Sequence, residues 1–287
     1  MSGGIDRALK AAEDRLSARS PSARLDARLL LAHAMGIEAA RLAHPTDSTL
    51  ADDAVLRFEA AIGRRLSGEP VSRILGRRAF WTLDLVITPD VLDPRPDSEA
   101  IVEAALARVG ARDRVLSLLD LGTGSGCLML ALLSELPNAW GLGVDRSHAA
   151  LRVARENAAA HGLASRARFL AGDWDAALSG TYDVIVSNPP YLADFEIETL
   201  APEVRGHDPR LALSGGPDGL DSYRKVLPAL RRLLAPGAFA VLEVGAGQAA
   251  AVAGMAGPHG IGYIGSQYDL AGIERAVVLQ SRHGMAC

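Results

Sequence analysis

The sequence predicts an α/β protein: a mostly parallel sheet covered by helices on both faces, preceded by a small helical domain. Three observations carry this reading. From residue 115 onward, apolar strand-like runs alternate with helical segments, which is the pattern of a parallel sheet with crossover helices. The first of those runs ends in a glycine-rich turn, "DLGTGSG", residues 120–126. Residues 1 to about 76, by contrast, carry helical periodicity only. With 287 residues, 49% of them hydrophobic, the chain can bury one large domain and one small one.

In chain order, "SPSARLDARLLLAHAMG" offers Ser20 as N-cap, Pro21 at the first helical position and Gly36 as terminator. Leu25, Leu29, Ala32 and Met35 recur in it at helical spacing. "TLADDAVLRFEAAIGRRLSGEP" repeats the pattern, with Leu56 and Ile62 on the apolar side and Pro70 closing it. Such a module usually packs against or recognises something and rarely carries chemistry. "FWTLDLVIT" (80–88) alternates at period two, as a short hairpin or edge strand would, and the helix "DSEAIVEAALARV" follows. The strands are then "RVLSLLDLG", "WGLGVD", "ARFLAG", "YDVIVSN", "AFAVLEV" and "ERAVVLQ", with helices near 126–136, 147–161 and 219–235.

Composition narrows the function classes. The formal net charge of -4 is unlike the basic field of a protein that grips duplex nucleic acid. Cys127 and Cys287 lie far apart without a CxxC neighbour, which argues against a disulfide framework or zinc site and fits a reducing cytoplasm. The first residues lack the apolar core of a signal peptide. The most membrane-like window, "AFAVLEVGAGQAAAVAGMAG", contains Glu243 and Gln248 and reads as a strand, a turn and a small-residue helix. A soluble protein is expected.

Ligands of such sheets bind outside the carboxyl ends of the strands, where the order reverses. Gly122, Gly124 and Gly126, with Thr123 and Ser125 between them, allow tight turns and close backbone approach. A dinucleotide fingerprint would need glycine at the position of Cys127. G-x-G-x-G suits a ligand without a pyrophosphate, such as S-adenosylmethionine. Asp145 ends the second strand, where a carboxylate can accept both ribose hydroxyls through bonds of about 1.5–3 kcal/mol each. An NAD site would use the same acid, so Asp145 alone does not decide. Asp173 and Trp174 end the third strand and can border an adenine, although Trp174 also reads as a rim residue of the core. Together the three strand ends favour S-adenosylmethionine.

The fourth strand ends in "SNPPY", residues 187–191. Methyl transfer to a conjugated NH₂ group needs acceptors that grip its N–H bonds and turn the lone pair toward the methyl donor. Asn188 supplies a side-chain carbonyl, and Pro189 and Pro190 supply rigid backbone carbonyls. Tyr191 offers a flat face to a flat substrate group. No general base is needed, because the methylated, protonated product loses its proton readily. The plain alternative is a strand-terminating turn. The chemistry leaves an adenine amine and a glutamine amide both open, and leaves open how Asp120 meets the cofactor.

The order "LGRRAFWTLDLVITPDVLDPRPDSEAIVE", "DLGTGSG", "VD", "GDW", "SNPPY", "DPRLALSGGPDGLDSYR" and "DLAGIER" resembles the PrmC/HemK family of protein-(glutamine-N(5)) methyltransferases over residues 70 to 280. The resemblance implies a Rossmann-like class I S-adenosylmethionine-dependent methyltransferase domain with a seven-stranded sheet. It implies a helical substrate-recognition domain at 1–76, a hairpin and linker at 77–95 and a catalytic domain at 96–287. The implied activity is methylation of the glutamine in the GGQ loop of class-1 peptide chain release factors, which modulates translation termination. Gly122 to Gly126, Asp145, Trp174 and Asn188 would contact the cofactor, and Asn188 to Tyr191 would hold the amide. The enzyme is expected to be a cytoplasmic monomer with no metal, no direct nucleic-acid contact and no membrane association.

The chain departs from the family at Asp93, often apolar there, and at Ser98, often Thr. Arg95 would line the active site or pair with a substrate carboxylate, or equally form a structural salt bridge to Glu99 or Asp97. About 27 residues after Tyr191 show little periodicity, and loops that long are usually functional; this one is expected to fold over the substrate peptide, the plain alternative being a surface insertion with a short helix at "FEIETL". Three other readings share parts of the pattern. A ribosomal-protein glutamine methyltransferase would use the same site. A nucleic-acid adenine methyltransferase should carry a basic recognition region, and a non-catalytic scaffold should have lost Asn188 or the glycines.

Overall fold

The structure, a computed structural model, describes residues 4–43 and 50–281; Cys287 lies outside the described residues. The chain divides into two compact units, Met1–Arg77 with Ala201–His207, and Arg78–Leu200 with Asp208–Cys287.

In the first unit, helices Gly4–Leu16, Ala23–Met35, Asp52–Leu66 and Val71–Leu75 surround a core that includes Leu16, Leu30, Leu31, Phe58 and Ile62. The second helix starts later than Ser20 and Pro21 imply. The Ser20 and Ser22 hydroxyls donate to the two Asp26 carboxylate oxygens, each at 2.8 Å, because an ionised acceptor binds a hydroxyl more strongly than a backbone cap does. Gly36 ends that helix in the left-handed region at φ +66°. The apolar stripe is also rotated from expectation. Ala32 and Ile62 are buried as expected, but Leu25 is 57% and Leu56 72% exposed, and Ala27, Leu30 and Phe58 point inward. Buried Asp26 and Arg65 share that inward face, joined at 2.8 Å. Hydrophobic periodicity counts both as solvent positions, so it misplaces the face. Pro70 opens the helix Val71–Leu75 as its N-cap and does not close the one before.

The second unit begins with a two-stranded sheet of β1 (Arg77–Phe80) and β2 (Leu83–Val86). Of the segment 77–95, expected as hairpin and linker, residues 78–95 belong to this unit, with Phe80, Leu83 and Leu85 in its core. The main sheet holds β3 (Ser117–Leu121), β4 (Trp140–Asp145), β5 (Ala167–Ala171), β6 (Tyr182–Ser187), β7 (Leu234–Glu243), β8 (Ile261–Tyr268) and β9 (Glu274–Ser281). Their spatial order is β5-β4-β3-β6-β7-β9-β8. β3 pairs in parallel with both β4 and β6, and only β9 runs against its neighbours. Sequence patterning identifies six of these strands and passes over β8, "IGYIGSQY". Gly262 and Gly265 break its alternation, and a register irregularity falls between Tyr263 and Gly265.

Alternate strand residues enter opposite cores, as a sheet buried on both faces requires. Leu118, Val184, Val186 and Val241 face one cluster, and Leu119, Leu121, Ile185 and Leu242 the other. Helices Cys127–Glu135, His148–Ala160, Asp221–Leu233 and Ala249–Ala256 connect or flank the strands. The carboxyl ends of β3, β4, β5 and β6 therefore lie along one edge, with the order reversing between β3 and β6. The long segment after Tyr191 contains the short helix Asp194–Ile197. Its later part folds back on the β6 corner, with Leu192 N–H donating to the Leu213 carbonyl, Gly215 N–H to that of Leu192 and Asp194 N–H to that of Gly216. Among the described residues no helix is long and apolar enough to cross a membrane.

Candidate active site

A cavity of about 750 Å³ opens at this edge, within the range of small-molecule sites. Its floor is the turn from β3 into helix Cys127–Glu135. Gly122 and Gly126 hold φ of +75° and +84°, which side chains rarely adopt, and a Cβ on Gly126 would press on Leu130 and Ala154. Asn157, fully buried, pins the turn from behind: its amide donates to the Ser125 carbonyl at 2.9 Å while bonding both backbone groups of Val86. Gly122, Thr123, Gly124 and Ser125 reach the cavity wall, and Gly126 sits behind it.

Asp145, at the end of β4, accepts from Gly124 N–H at 2.9 Å and Ser147 N–H at 2.8 Å, one bond per carboxylate oxygen. Each oxygen keeps acceptor capacity for a hydroxyl, and the residue lines the cavity. Trp174 is one of two described non-glycine residues with positive φ, at +52°. That backbone turns the indole onto the glycine loop, 3.7 Å from the point where a Gly122 Cβ would sit. Asp173 and Trp174 both border the cavity.

Asp120 is buried below the turn. One oxygen accepts from the Thr123 hydroxyl at 2.7 Å, and the other has no hydrogen-bond partner among the described residues. Burial pushes this carboxyl up to about 7, against the lowering effect of the Thr123 bond. A glycine turn open to close backbone approach, a carboxylate with spare acceptor capacity and a flat indole fit S-adenosylmethionine, and the Asp120 oxygen without a hydrogen-bond partner among the described residues complements a cationic ligand.

The β6 corner completes the site. The Ser187 hydroxyl donates to the Leu121 carbonyl at 2.6 Å, fastening "SNPPY" beside the glycine turn. Asn188 and Pro190 line the cavity. The Asn188 amide nitrogen donates to Ser98 Oγ at 3.1 Å, which leaves its carbonyl oxygen without a partner among the described residues. Nor do the carbonyls of Pro189 and Pro190 accept a bond there. Pro189 and Tyr191 lie off the wall. The expected stacking face of Tyr191 packs against the core of the second sheet face, and its hydroxyl donates to Glu243 at 3.2 Å. The reason is the polar handle: a buried phenol settles where its O–H has a partner, and Glu243 supplies one inside the fold.

Ser98 and Glu243 are site residues that sequence motifs alone do not assign. Glu243 ends β7, is 1% exposed, and accepts from Ser98 at 2.5 Å and from Tyr191. Burial pushes its carboxyl up from 4.5 to about 7, with the bonds from Ser98 and Tyr191 pulling the other way. The folded-state pKa lies above the unfolded one. The folded chain therefore holds more protons between these values, and stability falls as pH rises through that window. Unfolding free energies of wild type and Glu243→Gln, measured from about pH 5 to about pH 8, should diverge in favour of the variant as pH rises. A pH-independent difference would show that Glu243 carries no such shift.

Arg95 pairs with Asp208, not with Asp97 or Glu99. Glu99 accepts the Trp81 N–H and Asp97 pairs with Arg275. Asp208 also accepts the Asp93 N–H at 3.2 Å. Asp93 is buried with its carboxylate 3.6 Å from the Arg78 guanidinium, so a charge pair takes up the departure from an apolar residue.

Sheet order and site together define a Rossmann-like, S-adenosylmethionine-dependent methyltransferase. Among solved structures, a methyltransferase from Pyrococcus furiosus superposes with TM-score 0.51 at 17% identity, covering 76% of this chain and 95% of that one. The hMettl16 catalytic domain superposes with TM-score 0.56 at 14% identity, covering 82% and 83%. At these identities the likeness is one of fold alone. Residues 7–76 match the PrmC N-terminal domain family and residues 98–204 the methyltransferase small domain. The release factor glutamine methyltransferase of Cereibacter sphaeroides is 48% identical over 271 residues, 94% of this chain and 96% of the relative. That of Agrobacterium fabrum is 40% identical over 98% of this chain and the whole relative. The chain belongs to the release factor glutamine methyltransferase family.

Proposed function

We propose that this protein transfers a methyl group from S-adenosylmethionine to the side-chain amide nitrogen of the glutamine in the GGQ motif of class-1 peptide chain release factors, modulating translation termination. The observation that carries the chemistry is the orientation of Asn188. Its nitrogen is engaged by Ser98, which leaves its carbonyl oxygen as the available hydrogen-bond acceptor of a residue that lines the cavity. The choice of glutamine over an adenine amine is supported by the family, whose members quoted above are named for that substrate.

S-adenosylmethionine, when bound, supplies an electrophilic methyl group on a positively charged sulfur. Asp145 would hold the ribose hydroxyls and Trp174 would cover the adenine, beside the glycine turn. Asn188 Oδ1 and a proline carbonyl of the corner each accept one N–H of the substrate amide. With both hydrogens held, the nitrogen lone pair is turned out of conjugation and aimed at one point, and this orientation is the main catalytic contribution. Pro189 and Tyr191 support the corner from behind. The same reading makes the enzyme a cytoplasmic monomer acting on protein without direct nucleic-acid contact; the net charge of -4 supports the last point.

Incubating the protein with labelled S-adenosylmethionine and, in turn, a release factor, a ribosomal protein and DNA should label the release factor at its GGQ glutamine. Label confined to DNA or to the ribosomal protein would overturn the assignment. Asp145→Ala should weaken cofactor binding roughly 10- to 10²-fold by calorimetry, as expected for one charge-assisted bond to a hydroxyl; unchanged affinity would refute the ribose role.

A further inference from the structure

Asn188 can meet a substrate amide in two opposite ways. With its carbonyl toward the cavity it accepts an N–H, and with its NH₂ there it repels one. The two faces of a terminal amide are nearly the same shape, so packing cannot choose between them. A hydrogen-bond partner of fixed polarity can.

We propose that Ser98 and Glu243 are positioning residues that lock the Asn188 side chain with its carbonyl toward substrate, so that the polarity of the grip is set from the interior of the sheet. In its ionised form, which prevails above about pH 7, Glu243 can only accept. It takes the Ser98 hydroxyl proton at 2.5 Å, which leaves Ser98 Oγ only lone pairs to offer Asn188. The Asn188 NH₂ donates into them at 3.1 Å, and the flipped amide would set oxygen against oxygen. Tyr191 donates to the second Glu243 oxygen at 3.2 Å, and the Tyr223 hydroxyl ties the Glu243 backbone carbonyl at 2.7 Å. The carboxylate thus has both oxygens and its own main chain fixed. Ser98 is 2% and Glu243 1% exposed, so water does not compete for these bonds. The burial that raises the Glu243 pKa toward neutrality is an energetic cost that the Ser98 and Tyr191 bonds oppose. The three sites come from distant parts of the chain, the turn Pro96–Ser98, the end of β6 and the end of β7, and meet only in the folded sheet.

The inference rests on the amide-gripping role of Asn188, and a double-mutant cycle separates the two. Ser98→Ala should lower kcat about tenfold or more with the cofactor Kd within about twofold of wild type, because the lost interaction acts on orientation of the reacting group. Ser98→Thr, which keeps the hydroxyl, should restore turnover. Added to Asn188→Ala, Ser98→Ala should cost almost nothing further, since it acts through a side chain already removed. Three results overturn the proposal: full kcat in Ser98→Ala, a multiplicative loss in the double variant, or a loss explained by weakened cofactor binding or lowered melting temperature. If Asn188→Ala itself turns over normally, the grip is wrong and the lock falls with it. If Asn188→Ala is impaired while Ser98→Ala is not, the grip stands and only the lock falls.

Discussion

Asn188→Ala is expected to lower the rate of methyl transfer by at least ~10²-fold, about 2.7 kcal/mol of transition-state stabilisation. The loss falls on kcat because the bond matters most when the amide lone pair is withdrawn from its carbonyl. In the ground state that lone pair is delocalised, and the N–H bonds can be satisfied by water nearly as well. As the nitrogen begins to bond to carbon it becomes positive, its hydrogens become stronger donors, and the Asn188 carbonyl is already in place. A residue that bound ground and transition states alike would change KM alone. Single-turnover transfer of labelled methyl to a release factor, at saturating substrate, measures the step directly. Near-normal turnover would show that the proline carbonyls suffice and that Asn188 is structural. Asn188→Asp is the sharper companion, because a carboxylate cannot donate to Ser98 Oγ, which already donates to Glu243, and two acceptors would face each other in a part-buried contact.

The strand-end chemistry is legible in the sequence because it is local. A glycine turn, a carboxylate at the end of the next strand and an Asn-Pro-Pro-Tyr corner are each constrained within a few residues, and the alternation of elements places them on one edge. The partners that give those residues direction are not local. Ser98 is 90 residues from Asn188 and Glu243 is 145 from Ser98, and neither sits at a spacing that marks it. Tyr191 shows the converse limit. Its motif predicts an aromatic face for substrate, whereas an internal acceptor turns the ring toward the core. In the helical unit the misread faces around Leu25 and Leu56 have the same origin, since a buried ion pair is invisible to a count of apolar residues. Arg95 likewise finds Asp208, 113 residues away, in preference to the acids beside it.

That buried ion pair carries a large expected stability effect. Arg65 and Asp26 are 7% and 5% exposed, bonded at 2.8 Å, and Arg65 also reaches Glu203 in the segment 201–207 of the same unit. Arg65→Ala leaves the Asp26 carboxylate buried among apolar helices, and breaking such a pair from one side costs about 3–5 kcal/mol. The Ser20 and Ser22 hydroxyls still donate to Asp26, which favours the lower end, about 3 kcal/mol. Replacing both partners, as Arg65→Met with Asp26→Leu, removes the stranded charge and should recover most of the loss. Trp81, Trp140 and Trp174 all lie in the second unit, so no indole lies in the helical unit that loses the pair. Far-UV circular dichroism, with hydrogen exchange at the amides of Ala23–Met35, reads the loss. A loss below about 1 kcal/mol in Arg65→Ala, of the size usual for exposed pairs, would mean that water reaches Asp26 and that the pair does not set the inward face of these helices.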